Sequence, residues 1–163
     1  MITKIYLDMD GVLCDFEARY IEQFGELPAL SRANKEWSDN WTKFVETGQF
    51  KTLDWNPGGQ TLLQVVKDTG IDIEILSSSG GKKYHPVVED QKKFWLQSKG
   101  IHVKVNIVPG RSLKAKYANS KSILIDDTPD VIESFNKAGG YGILHADVKD
   151  TVKKLNHILH VAK

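Results

Sequence analysis

An α/β fold is what the sequence predicts: a doubly wound, Rossmann-like parallel sheet of five strands, covered by helices on both faces and interrupted after its first strand by a small helical insertion. Three observations lead there. Short apolar runs, each closed by polar residues or glycine, alternate with segments of helical period. The runs are apolar throughout rather than at alternate positions, the pattern of parallel strands buried on both faces. Residues 16–57 break the alternation without any strand signal, a stretch too long for a crossover loop.

The strands are read at IYL (5–7), IDIEIL (71–76), VNIVP (105–109), SILI (122–125) and YGILH (141–145). The first crossover helix occupies 57–69, with Leu62, Leu63, Val65 and Val66 facing inward and Gly70 at its end. Pro86 stands at a first helical position before VVEDQKKFWLQSK, and Gly100 closes that helix. Thr128 and Pro129 open another, with Val131, Ile132 and Phe135 inward and Gly139 at its end. From Asp147 onward Val148, Val152, Leu155 and Leu159 recur with amphipathic spacing. The expected division is a core of residues 1–15 and 58–163 and an insertion of 16–57, rich in large aromatics, over the carboxyl edge of the sheet.

At 163 residues, with 40% apolar and 26% charged side chains, the chain has the make-up of a globular protein with a single core. Lysine and arginine number 22 against 21 aspartate and glutamate, and a net charge of +1 offers no overall field to nucleic acid or a membrane surface. No stable nucleic-acid complex and no membrane association are therefore expected. Cys14 is the one cysteine, which excludes an internal disulfide and reads as a small buried apolar residue. The opening MITKIYLDMD has no apolar stretch of signal-peptide length, so a cytoplasmic setting is expected.

In open α/β sheets ligands bind beyond the carboxyl ends of the strands. The first strand ends in Asp8 and Asp10, the second in Ser77, Ser78 and Ser79, and the fourth in Asp126 and Asp127. Carboxylates gathered on one rim repel by several kcal/mol at low effective dielectric, so a cation must hold them together. Mg²⁺, a hard ion that takes oxygen ligands and keeps part of its water, suits that donor set.

Motif and order together resemble the haloacid dehalogenase superfamily of phosphohydrolases. Its Asp-x-Asp after the first strand matches Asp8-Met9-Asp10-Gly11-Val12, its serine or threonine after the next matches Ser77 in ILSSS, and its late acidic pair matches Asp126 and Asp127 in ILIDD. For the superfamily's lysine, Lys116 in KAKYANSKSILIDD is chosen ahead of Lys114 and Lys121, because its distance from Asp126 resembles that in the 5'(3')-deoxyribonucleotidase branch. TLDWNPGGQTLL, KKFWL and GGYGILH look like the short bacterial and phage members of that branch, so the likeness spans nearly the whole chain. The resemblance implies an aspartyl phosphate on Asp8, with Asp10 as general acid and then base. It implies Mg²⁺ held by Asp8, the Asp10 carbonyl and Asp126, with Asp127 in support, and a phosphoryl group bound by Ser77, or Ser78 in its place, and by Lys116. The implied substrate is a small phosphate ester, a deoxynucleoside monophosphate first, with a sugar phosphate or a polynucleotide 3' end as the alternative. A homodimer is compatible with all of this.

A phospho-accepting receiver module also groups aspartates, a hydroxyl and a lysine, but there the acidic pair comes first in the chain, whereas here DxD leads. A binding protein without catalysis is expected to have lost Asp8 or Asp10. Trp37, Trp41 and Phe44, spaced by four and three, read as the core face of a helix rather than a stacking shelf. Phe16 and Trp55, flanking the insertion, are the candidates for substrate contact. Lys82, Lys83, His85 and Lys92 follow the second motif and have the charge to bind phosphate, but are read first as solvated surface residues. Histidines 102, 145, 157 and 160 lack metal-ligand spacing.

Overall fold

The computed structural model describes residues 1–162. Five strands form one parallel sheet: β1 (Lys4–Leu7), β2 (Asp72–Ser78), β3 (Lys104–Val108), β4 (Ser122–Asp126) and β5 (Tyr141–Leu144), in the spatial order β3-β2-β1-β4-β5. The chain starts at the centre, runs outward through β2 and β3, then returns to the other side of β1 for β4 and β5. The order therefore reverses at β1, and a crevice opens where the connections of β1 leave in different directions from those of β4. In register, Leu7 sits between Ile75 and Ile125, so β1 and β4 end within a residue of each other while β2 runs on to Ser78 beside them.

Side chains alternate between the two faces of each strand. Ile5, Leu7, Ile73, Ile75, Ile123, Ile125 and Ile143 share one core. Against it pack α4 (Gly59–Asp68), through Leu62, Leu63 and Val66; α5 (His85–Ser98), through Val88, Trp95 and Leu96; and α7 (Val148–Val161), through Leu155. Tyr6, Leu76, Val108 and Leu124 face the opposite way, onto Val131, Ile132 and Phe135 of α6 (Pro129–Lys137) and onto the 3₁₀ segment Arg111–Tyr117 that joins β3 to β4. Complete burial of each such aliphatic side chain contributes about 1.5–3 kcal/mol, which fixes the register on both faces.

The insertion forms α1 (Phe16–Phe24), α2 (Pro28–Ala33), α3 (Trp37–Glu46) and a 3₁₀ turn at Gln49–Thr52. Asp15 caps α1 by accepting a hydrogen bond from Ala18 N at 3.0 Å. Phe16, Tyr20, Phe44 and Phe50 stack into one aromatic cluster, with Trp37 and Trp41 against it. That is the core-face reading of the tryptophans. β2 runs two residues beyond the expected strand, so Ser77 and Ser78 belong to it and are held in sheet geometry.

Candidate active site

Asp8 continues β1 by one more ladder bond, its N donating to Ile125 O at 3.0 Å. The chain then turns tightly: Val12 N, Leu13 N and Cys14 N all donate to Met9 O, at 3.1, 2.8 and 2.9 Å. Gly11, at φ +79°, makes this turn possible, and a Cβ there would collide with the carboxylate of Asp127. The two acidic motifs are thus pressed together at one glycine. Asp8 and Asp126 are buried, while Asp127 stands on the exposed rim.

Two lysines reach into this cluster from opposite sides. Lys114 Nζ, from the 3₁₀ segment, lies 3.1 Å from Asp8 Oδ1 and 2.6 Å from Asp126 Oδ2. Lys92 Nζ, from α5, lies 3.1 Å from Asp10 Oδ2 and donates to Ser77 Oγ at 2.7 Å and Ser78 O at 2.8 Å. Both side chains are almost closed to solvent. Because Lys92 occupies a lone pair of Ser77 Oγ, the hydroxyl proton of Ser77 stays free to donate to a ligand oxygen. Asp126 Oδ1 accepts from Thr128 N at 3.0 Å, and Asp127 Oδ1 from Thr128 Oγ1 at 3.3 Å. Asp10 Oδ1 is buried without a hydrogen-bond partner among the described residues.

The electrostatics follow from this crowding. Burial raises the Asp10 carboxyl above its ordinary value, opposed by the charge and hydrogen bond of Lys92. Burial, then the charge of Asp8, pushes Asp126 up to about 6; desolvation, then Asp8, Asp126 and Asp10, pushes Asp127 up to about 7. For Lys114 burial works against the charge, yet Asp8 and Asp126 outweigh it and hold its pKa above the ordinary lysine value. Four carboxylates against two ammonium groups leave a formal charge of −2. Carboxylate oxygens of Asp8, Asp126 and Asp127 lie within 4.8 Å of one another. Two unit charges at that separation repel by about 3 kcal/mol at an effective dielectric of 20. The donor set is all oxygen and excess negative, which fits a hard divalent cation.

The structure brings together Asp8, Asp10, Ser77, Ser78, Asp126 and Asp127 as expected from the strand ends. It corrects the lysine: Lys116 is exposed, and Lys114, two residues earlier, makes the carboxylate pairs. In a 3₁₀ segment, with three residues per turn, positions two apart point to different sides. Lys92 is a second correction, since it is buried in the site rather than solvated. The signal was present, for it stands on the stripe Val88, Gln91, Lys92, Trp95, Leu96, a charge on the apolar face of a helix. The side chain of Asp127, expected only in support, joins Asp8 and Asp126 in the oxygen cluster, while the carboxylate of Asp10 turns to Lys92 and leaves its backbone carbonyl as the candidate metal contact. Phe16 and Trp55 are half-buried and packed, Phe16 within the aromatic cluster and Trp55 edge-on to Trp95 at 5.1 Å.

Neither a protein-family model nor a curated protein matches the sequence. Solved structures do. A hydrolase from Streptococcus pneumoniae TIGR4 superposes with a TM-score of 0.56 at 17% identity, over 95% of this chain and 98% of that one. A HAD-superfamily hydrolase from Ehrlichia chaffeensis gives 0.55 at 15% identity over 97% and 98%. The fold is that of the haloacid dehalogenase superfamily. D,D-heptose 1,7-bisphosphate phosphatase from Burkholderia thailandensis shares this haloacid dehalogenase fold with a TM-score of 0.55 at 9% identity, over 96% of this chain and 98% of its own. Each of these alignments spans nearly the whole of both chains. No helix among the described residues is long and apolar enough to cross a membrane.

Proposed function

We propose that this protein is a Mg²⁺-dependent phosphomonoester hydrolase that works through an aspartyl phosphate on Asp8, with deoxynucleoside monophosphates as its substrates. The observation that carries the reading is the division of the two buried lysines: Lys114 serves Asp8 and Asp126, and Lys92 serves Asp10 and Ser77. Nucleophile and proton donor each have a separate cation.

Asp8, Asp126 and Asp127 would hold the Mg²⁺, which supplies charge neutralisation to the transferred group when bound. An oxygen of Asp8 attacks phosphorus in line with the leaving oxygen; the new P–O bond forms as the ester P–O bond breaks. Lys114 balances the charge of Asp8 and of the phosphoryl oxygens, and Ser77 donates its hydroxyl proton to one of them. Asp10, whose carboxyl burial raises above its ordinary value, gives a proton to the departing alkoxide. As a carboxylate it then takes a proton from the water that attacks the same phosphorus, releasing inorganic phosphate and free Asp8. Residues 16–57 roof the rim and limit water access during the first transfer. The deoxynucleotide preference rests on the resemblance of TLDWNPGGQTLL, KKFWL and GGYGILH to that branch of phosphatases.

Purified protein with Mg²⁺ is expected to release phosphate from p-nitrophenyl phosphate, and fastest from a deoxynucleotide within a panel that includes sugar phosphates and a 3'-phosphorylated oligonucleotide. Asp8→Asn is expected to abolish release. Wild-type turnover by Asp8→Asn would overturn the nucleophile, and a sugar phosphate or the oligonucleotide leading the panel would overturn the substrate.

A further inference from the structure

The inserted helices are bolted to the site itself. Gln91 Nε2 donates to Val45 O and Trp95 Nε1 to Leu53 O, both at 2.7 Å and both buried. Asn56 N donates to Leu13 O at 2.7 Å, and Asp15 N to Asp54 O at 2.9 Å. The ammonium of Lys92 lies 5.1 Å from the centre of the Phe50 ring. Lifting these helices would strand buried donors and strip Phe50 from the lysine that holds Asp10 and Ser77.

The other wall of the rim is built differently. After the buried Ser79, residues 80–84 place no buried side chain, and Gly80 and Gly81 take φ of +79° and +131°. The neck of this loop is fixed: Ser79 N donates to Val108 O at 2.9 Å, and Ser79 Oγ meets His85 Nδ1 at 2.7 Å. Beyond the neck the loop touches the roof where Trp41 lies on Gly80, so closely that a Cβ there would come within 2.7 Å of the ring. One hydroxyl pair spans the same seam, Thr42 Oγ1 and Tyr84 Oη at 3.0 Å. A cleft of about 200 Å³ follows it, lined by Trp37, Trp41, Thr42, Gly81, Lys83 and Tyr84. Segments with few buried contacts open first.

We propose that access to the site is gated by the loop 80–84 swinging away from Trp41 and Thr42, while the inserted helices stay fixed as its doorpost. Gly80 N donates to Ser78 Oγ at 3.1 Å, so the swing begins one residue past the strand that carries Ser77 and leaves the phosphate-binding hydroxyl in place. Loop opening on the microsecond to millisecond scale is sufficient for such a gate.

Two tethers distinguish a moving loop from a moving roof. Cysteine pairs joined by a bis-maleimide are introduced at Lys51 and Phe94, roof to α5, and at Thr42 and Lys83, roof to loop; Cys14 is buried and stays unreacted. The Lys51→Cys/Phe94→Cys tether is expected to leave turnover of p-nitrophenyl phosphate within about twofold, and the Thr42→Cys/Lys83→Cys tether to lower it by about tenfold or more. The reverse pattern, or an unaffected loop tether, overturns the gate. The turnover assay rests on the phosphatase reading; hydrogen exchange does not. In the unmodified protein the amides of 80–84 are expected to exchange about tenfold or more ahead of those in Gln91–Trp95, and Gly80→Ala to speed them further. Equal exchange rates in the two segments overturn the gate even if no ester is hydrolysed, and absence of hydrolysis with fast loop exchange overturns only the phosphatase reading.

Discussion

Lys114 Nζ lies 2.6 Å from Asp126 Oδ2, and the Asp126 carboxylate it meets is wholly closed to solvent. Neither charge has enough water to stand alone, so each is the condition for burying the other. A neutral side chain at 114 leaves Asp8 and Asp126 facing each other with no cation from the protein. Lys114→Met is expected to cost about 3–5 kcal/mol of stability in metal-free protein, as breaking a buried ion pair does, and to reduce phosphate release by about a hundredfold or more. Lys116→Met is expected to stay within about 0.5 kcal/mol of wild type because its side chain is exposed. Urea denaturation in EDTA together with a phosphate assay measures both. Equal losses from the two variants would return the role to Lys116.

The sheet was legible because its strands are apolar runs buried on both sides and closed at each end by polar residues or glycine. The strand ends delivered Asp8, Asp10, Ser77, Asp126 and Asp127 for the same reason: a strand fixes where its last residue emerges. The lysines were not legible to the same degree. Lys114 sits in a 3₁₀ segment with no apolar period of its own, so nothing in KAKYANSK tells which lysine turns inward. Lys92 could have been found from the stripe Val88, Lys92, Trp95, where one charge replaces an expected apolar residue. The aromatics of the insertion were readable as a core, yet which of them line the seam with Gly80 depends on a loop whose path is set by positive-φ glycines.

Lys92 has a distinct signature because its carboxylate partner is the proton donor rather than the nucleophile. Lys92→Met is expected to raise the effective basicity of Asp10, since burial and the charge of Asp8 are then opposed only by the more weakly acting Lys114. With p-nitrophenolate, which departs without a proton, turnover should fall by about tenfold through Ser77 alone. With an alkoxide leaving group the loss should reach about 10²–10⁴, the usual range for misplaced general acid catalysis. A plot of rate against leaving-group pKa reads the difference. Parallel lines for wild type and variant would confine Lys92 to phosphate binding.

Metal-free stability should depend on pH through Asp126 and Asp127. Their folded values of about 6 and about 7 exceed the unfolded aspartate value of about 3.9, so folding takes up protons between these limits. Stability contributed by these groups is complete below about pH 4, declines as pH rises through about 6–7, and is level above. His145 acts in the opposite direction, since burial lowers its pKa and the fold loses stability as that side chain is charged at low pH. Divalent cation binding cancels the carboxylate penalty only where the carboxylates are ionised. The rise in Tm on adding MgCl₂ should therefore be larger at about pH 8 than at about pH 5. Equal shifts at both pH values, or a larger one at pH 5, would place the ion elsewhere.

Gly11 tests whether the two acidic motifs are pressed together by the fold or merely adjacent. Its φ of +79° is strained for any L-residue, and a Cβ would enter the space of the Asp127 carboxylate. Gly11→Ala is expected to destabilise by about 1–3 kcal/mol through backbone strain alone. The displaced Asp127 adds a functional loss, because it leaves the oxygen cluster shared with Asp8 and Asp126. The variant should then need more MgCl₂ for half-maximal activity, and Gly11→Ala/Asp127→Gly, which removes the obstructing side chain, should recover part of the stability without recovering the Mg²⁺ requirement. Isothermal titration with MgCl₂ and urea denaturation separate the two effects. If Gly11→Ala alone matched wild type in both, Asp127 would not be held where the cluster needs it, and the cation would rest on Asp8 and Asp126.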